Sequence, residues 1–197
     1  NLPTGEGLLS DALEAMEATL AANTFMLPGT EQLITLSRHE TEQAGAWQLP
    51  NWQTFLTALG IGYADPALAL ANCRTALQRL AAGDVLGALA TAEGVRAEIS
   101  HPPVASYCVW KLFQLTGDER LLEEAMPQLL RWHRWWREAR DPNDNRILGW
   151  GSADETGMAA HPLYTEAERD EKSGVLQLDD AGLSSLWALD AVALMRM

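Results

Sequence analysis

The feature that most narrows the folds open to this chain is helical periodicity, cut at short intervals by proline, glycine and aspartate. Leu8, Leu9, Ala12, Leu13, Ala15, Met16 and Leu20 recur at helical spacing with Ser10, Asp11, Glu14 and Glu17 between them. Leu27-Pro28-Gly29 breaks that helix. A second helix is predicted from Trp52 to Tyr63. Asp65-Pro66 then supplies a cap followed by a proline at the first helical position, and the third helix follows with Leu68, Leu70, Cys73, Ala76, Leu77 and Leu80 on its apolar side. His101-Pro102-Pro103 opens a fourth helix. Thr116-Gly117-Asp118 stops it and caps a fifth, from Glu119 to Glu138, in which Pro127 predicts a kink or a restart. A last helix begins near Asp180. It reaches Met197 with its apolar face still running and no terminating residue in sight.

The connecting stretches are long. Leu33, Ile34 and Leu36 predict a short helix or strand within residues 28–50. Residues 84–100 are weakly patterned and read as a loop with one helical turn. The Asn- and Asp-rich segment from Asp141 to Asn145 opens an irregular stretch reaching Asp179. The expected fold class is therefore all-α: helical hairpins stacked side by side with long irregular loops, in a single domain.

Charge and cysteine content exclude several functions. The net charge of −13 argues against nucleic acid or an anionic membrane as partner. No apolar run reaches the length needed to cross a bilayer. The first residues, Asn1 to Glu6, lack the basic and apolar regions of a secretory leader. The chain reads as soluble; its compartment stays open, with the cytoplasm the favoured expectation. Two cysteines, Cys73 and Cys108, in apolar helical settings are expected to be reduced and buried.

Metal and nucleotide chemistry lack support. His39-Glu40 begins a zinc-protease string, but Gln43 stands where the second histidine belongs. Asp141-x-Asn143-x-Asn145 begins like a calcium loop, yet Arg146 and Ser152 occupy the places of its glycine and its closing glutamate, which leaves an Asx-rich turn. There is no phosphate-binding glycine loop and no nucleophile elbow. No metal and no cofactor is expected.

Of eight tryptophans, five (Trp110, Trp132, Trp135, Trp136 and Trp150) fall close together. Indoles fill cores, and they also stack on sugar rings while donating a hydrogen bond. Downstream of the Trp-rich helix, Gly149, Gly151 and Gly157 free the backbone. Trp150, Met158 and Tyr164 offer apolar faces there, and Asp154 and Glu155 offer carboxylates. An acidic surface loop with Trp150 pinned to the core is the plainer reading of the same residues.

Several of these residues carry a family resemblance. The run Leu129-Leu130-Arg131-Trp132-His133-Arg134-Trp135-Trp136, then Arg140-Asp141, Gly149-Trp150-Gly151-Ser152 and Glu155-Thr156-Gly157-Met158, resembles a clan of inverting α-glycosidases. That clan includes processing α-glucosidase I, trehalase, and the mannosylglycerate and glucosylglycerate hydrolases. Its members carry E-S-G-[MW]-D-x-S after a Trp-rich helix. Ser100-His101-Pro102-Pro103-Val104 resembles the clan's S-Q-P-P-V, and Trp52-Gln53-Thr54-Phe55 its W-D-[TS]-F. The resemblance spans roughly residues 45–197, in order. It implies a partial (α/α)6 toroid, the first half of a larger catalytic domain. It also implies a small carbohydrate ligand contacted by Trp52, Gln53, Phe55, Trp150, Glu155, Met158 and Tyr164. The missing half of the toroid, or self-association, is the implied partner. Inversion needs an acid and a base about 6.5–9.5 Å apart.

The departures bear on activity. The clan's general acid falls on Ala159, which has no proton to donate, and the aspartate of W-D-[TS]-F falls on Gln53. The serine before proline is His161, and the clan's base lies downstream of the matched region. Glu155 and His161 are the nearest substitutes for the acid. Three readings follow. One is a glycoside hydrolase domain, hydrolysing α-glucosides or α-mannosides with inversion, that is inactive alone. The others are a non-catalytic sugar-binding or regulatory relative, and a helical scaffold for protein contacts.

Overall fold

A computed structural model describes residues 7–36 and 47–197; His39 and Glu40 lie outside the described residues. Among the described residues seven helices dominate: α1 (Leu8–Ala22), α2 (Asn51–Ile61), α3 (Pro66–Leu80), α4 (Ala105–Thr116), α5 (Glu119–Arg140), α6 (Pro162–Thr165) and α7 (Ala181–Arg196). α2 packs against α4 and α4 against α7, while α3 and α5 lie behind, each paired with the helix that precedes it. This is a two-layered stack of helical hairpins.

Local chemistry sets the helix starts. Asp65 accepts from the Leu68 N–H at 3.0 Å, Asp118 from the Leu121 N–H at 3.0 Å, and Asp180 from the Leu183 N–H at 2.7 Å. Each satisfies an orphan donor of a first turn. Gly117 closes α4 in the left-handed region at φ 68°, where a side chain would be strained. Pro127 does not restart α5, which runs unbroken through it. Pro127 and Glu123 both lie on the solvent side, so water can take the carbonyl that proline leaves unbonded. The buried positions of α5 (Leu121, Ala125, Gln128, Leu129, Trp132, Trp136 and Arg140) form one stripe.

The chain is mostly helical, as expected of an all-α fold, and its connections carry short strands. β1 (Thr24–Met26) and β2 (Leu33–Thr35) form an antiparallel hairpin; β3 (Gln48–Pro50), β6 (Leu89–Thr91) and β7 (Gly94–Arg96) form a three-stranded sheet; β4 (Ala81–Ala82) and β5 (Val85–Leu86) form a third pair. Residues 84–100, expected to be a loop, thus hold three of the strands. Runs of two or three residues are too short for alternation to register. Gly87 makes the arrangement possible: a Cβ there would stand 2.5 Å from the Arg96 carbonyl oxygen. The hairpin is tied to α3, where Asn72 Oδ1 accepts from the Thr35 N–H at 2.5 Å.

The core runs between the helix layers through Phe55, Leu80, Cys73, Cys108, Leu112, Leu129, Trp132 and Trp136. Both cysteines are free and buried. Burial pushes the Cys73 thiol up to about 12 and raises Cys108 as well, so neither offers a thiolate at neutral pH. Among the described residues no helix is long and apolar enough to cross a membrane, and no three His, Cys, Asp or Glu side chains converge on a metal position. The Asp141 carboxylate is taken up by its own turn, accepting from the Asn145 and Arg146 N–H groups at 3.0 and 3.1 Å.

Candidate sugar-binding site

The candidate site is built on the loop joining α5 to α7, and its frame is a buried ion pair. Arg140, at the end of α5, donates from Nε to Glu155 Oε2 at 3.0 Å and from Nη2 to Glu155 Oε1. Glu155 also accepts from the Gly151 N–H at 2.5 Å and the Ser100 N–H at 3.1 Å. Four donors from three segments therefore meet on one carboxylate. Gly151 permits this, because a Cβ there would stand 2.7 Å from the Arg140 guanidinium. The other side of that guanidinium lies over the Trp135 ring at 4.7 Å. Glu155 is fully buried, so it is committed to the loop's interior and has no surface from which to protonate a leaving group.

Trp150 and Tyr164 turn inward as well. The Trp150 Nε1–H donates to Asp180 Oδ2 at 2.9 Å, and the Tyr164 hydroxyl donates to the same oxygen at 3.0 Å. Trp150 meets Trp136 edge-on at 6.0 Å. Burial, and then the bond to Asp180, raise the Tyr164 phenol above its ordinary value. Asp180, which in the sequence marks only a helix start, is the hub on which both aromatic side chains hang. Phe55 sits in the core with no exposed surface. Of the seven residues expected to contact ligand, Phe55, Trp150, Glu155 and Tyr164 are thus inside the protein. Their apolar surface and polar groups are spent on packing, which is the plainer reading of the loop's composition.

Trp52, Gln53 and Met158 lie nearer solvent. Asn51, just before Trp52, donates from Nδ2 to the Leu86 and Gly87 carbonyls at 3.0 and 3.1 Å, which fixes the start of α2. The half-buried Trp52 ring lies 3.0 Å from where a Cβ on Gly157 would be, and Gly157 has φ 73°. Only glycine combines that backbone with that approach. Met158 is 52% exposed, and Ala159, Ala160 and His161 are exposed beside it. His161 accepts from the Leu163 N–H on Nδ1 at 3.2 Å, capping α6. Asp154 is largely exposed, 3.7 Å from Arg96. The structure therefore joins Trp52 to the Gly157–Met158 turn and keeps the expected carboxylate, Glu155, behind it.

His101, quoted in the sequence only as part of a motif, has an unusual environment. Burial, then the nearby Arg96, push its imidazole down to about 4, against a hydrogen bond to the Asp154 carbonyl. It is therefore neutral near pH 7, and its buried Nδ1 has no partner among the described residues. Its neighbour Ser100 bridges the scaffold, accepting from Trp132 Nε1–H at 3.0 Å and donating to the Leu86 carbonyl at 2.5 Å. A histidine between serine and two prolines is the signal that points to this spot.

Residues 46–184 match the mannosylglycerate hydrolase MGH1-like glycoside hydrolase domain, and the chain belongs to that family. It is 37% identical over 73 residues to mannosylglycerate hydrolases MGH1 and MGH2 of Selaginella moellendorffii, a match covering 35% of this chain and 15% of each of those proteins. Its fold is similar to that of the GH63 mannosylglycerate hydrolase of Thermus thermophilus in complex with glucose, with a TM-score of 0.63, 21% identity, and coverage of 91% of this chain and 48% of that one. The same enzyme in complex with Tris and D-glycerate aligns with a TM-score of 0.60 at 21% identity, over 93% of this chain and 50% of that one. The chain thus spans about half the length of these structural relatives, and its fold is a partial (α/α)6 toroid.

Proposed function

We propose that this chain is the sugar-binding part of a glycoside hydrolase acting on α-glycosides with small aglycones, α-mannosides or α-glucosides, and that on its own it binds sugar without hydrolysing it. The observation carrying this reading is the Trp52 ring closed over Gly157 at the head of an exposed turn whose next members are Met158 and Ala159. An indole face beside a glycine gives a sugar ring a flat apolar floor, and Gln53 next to it offers amide groups for hydroxyls. Ala159 stands at the position that the resemblance gives to the acid, and a methyl group protonates nothing. Glu155 is held by four donors and does not replace it. His161 is exposed and within reach of solvent; as an acid it would need a ligand to close over it.

Calorimetry with glucose, mannose and α-mannosylglycerate tests the reading. Millimolar binding that Trp52→Ala abolishes, with no release of free sugar from mannosylglycerate, is expected. Silence towards all three, or hydrolysis by the unaltered chain, sinks it. The double change Gln53→Asp with Ala159→Asp is expected to leave binding in place.

A second reading concerns protein contacts. Leu56 on α2, Leu115 on α4, and Leu189, Val192 and Met195 on α7 are exposed large apolar side chains on three helices that pack side by side. The remainder of a toroid, or a second copy of the chain, would cover them. Light scattering at micromolar concentration decides: a monomer at every concentration removes self-association.

A further inference from the structure

Asp190, in the second half of α7, is a carboxylic acid with no exposed surface that the candidate site does not use. His133 of α5 meets it. Nδ1 and Oδ2 stand 2.7 Å apart, and the imidazole side chain keeps 18% of its surface in solvent. The ring lies flat on Trp187, with centroids 4.7 Å apart and planes within 3°. The Trp187 Nε1–H in turn donates to the His133 carbonyl at 3.0 Å. One histidine thus receives α7 at two points, through its ring and through its backbone.

The rest of that seam gives Asp190 little. Its Oδ1 is buried without a hydrogen-bond partner among the described residues. Ser106 stands close to it on α4, with a hydroxyl that is buried and equally unpartnered. The cations of the three packed helices are engaged elsewhere. Arg137 pairs with Asp144 at 3.2 Å, Arg140 pairs with Glu155, and Lys111 and Arg196 lie over the Trp110 ring. The other charged side chains of these helices are exposed. Among the described residues, His133 is therefore the one titratable group acting on Asp190.

One proton can sit at either end of this pair. On the imidazole it makes an ion pair; on the carboxyl it makes a neutral acid that donates to Nδ1. Both arrangements leave the seam without net charge. Removing that proton leaves Nδ1–H facing a carboxylate that has no countercharge and one oxygen unmet. A buried charge in that state is strongly unfavourable. Burial already pushes the Asp190 carboxyl above the ordinary aspartate value, against the hydrogen bond and the charge of His133. Two groups this close titrate as a unit.

We propose that the His133–Asp190 pair is a proton-gated catch: it holds α7 to α5 while the pair keeps its shared proton, and it slackens when that proton leaves. α7 carries more than its own packing. Asp180, at its head, accepts from Trp150 and Tyr164, and Ser184 Oγ accepts from the Leu148 N–H at 2.9 Å. Asp190 lies about 15 Å further along the same helix axis. Slackening there loosens the buried half of the loop that Asp180 holds. Histidine is the side chain whose charge ordinarily changes in the neutral range, so the catch responds where modest changes of pH occur. It does not depend on sugar binding at Trp52.

Amide hydrogen exchange on the unaltered chain, corrected for the intrinsic effect of pH, tests the catch between about pH 6 and about pH 9. Amides of α7 and of residues 148–156 are expected to lose protection by about tenfold or more as pH rises, with α3 steady. Asp190→Asn keeps the shape without the acid and is expected to remove that loss. Nuclear magnetic resonance of the unaltered chain adds a readout that needs no variant to fold: the His133 ring and the Asp190 carboxyl carbon should share one inflection. Protection of α7 that ignores pH overturns the inference, as does an Asp190→Asn chain with the parent's pH dependence. Separate inflections for the two groups overturn it as well. So does a loss spread evenly over all helices, which is general alkaline unfolding.

Discussion

Two halves of one loop behave differently. From Leu148 to Thr156 the chain is mostly buried, and its side chains reach Arg140, Ser100 and Asp180. From Gly157 to Leu163 every residue is exposed, and the bonds are local, such as Met158 N–H to Thr156 Oγ1 at 2.8 Å. The first half is a frame and the second is what the frame holds out to solvent. In this loop rigidity and exposure are thus supplied by different residues, and side-chain chemistry alone does not say which is which.

Removing the carboxylate at the centre of the frame should break that contrast most severely. Glu155→Ala leaves a buried guanidinium uncompensated and should cost about 3–5 kcal/mol in a urea titration; a loss under about 1 kcal/mol would mean the frame is not what holds the loop. Asp180→Ala strips the cap of α7 and orphans the Trp150 and Tyr164 donors, for an expected loss of about 2–4 kcal/mol. Near-ultraviolet circular dichroism should show the Trp150 environment changing with it. Ser100→Ala breaks the bridge from Trp132 to Leu86 and should cost about 1–3 kcal/mol.

Two aspartates sharpen the comparison through pH. Burial raises Asp190, against the hydrogen bond and the charge of His133. Its contribution is therefore present below the ordinary aspartate value and lost as pH rises through the raised one. Asp118 is held low, first by its hydrogen bond to Arg74. Its contribution is present above the ordinary value and lost as pH falls through the lowered one. Stability measured from about pH 3 to 7 should lose its fall with rising pH in Asp190→Asn, and part of its fall towards acid in Asp118→Asn. Identical profiles for both variants and the parent would refute these assignments. At the small end, Met158→Lys on the exposed half should change stability by no more than about 0.5 kcal/mol, and a larger loss would place that side chain in the frame.

Much of the helical layout was legible because its signals are local. Asp65, Asp118 and Asp180 each bond a backbone N–H three residues on, so composition within one turn is enough to find them. The strands in residues 84–100 were not legible, since pairs as short as Val85–Leu86 depend on distant partners and on the room left by Gly87. The motifs of the candidate site name its loop and Trp52, but not that Phe55, Trp150, Glu155 and Tyr164 are buried or that Asp180 holds two of them.

By itself the sequence determined the capped starts of α3, α5 and α7, that a Trp-rich helix precedes a glycine-rich loop, and that alanine occupies position 159. Tertiary structure alone decided which way each loop side chain faces. Glu155 finds Ser100 at a separation of 55 residues, and Trp150 finds Asp180 at 30. Burial of a polar group is favourable only where such a partner waits, and no short window of sequence contains both.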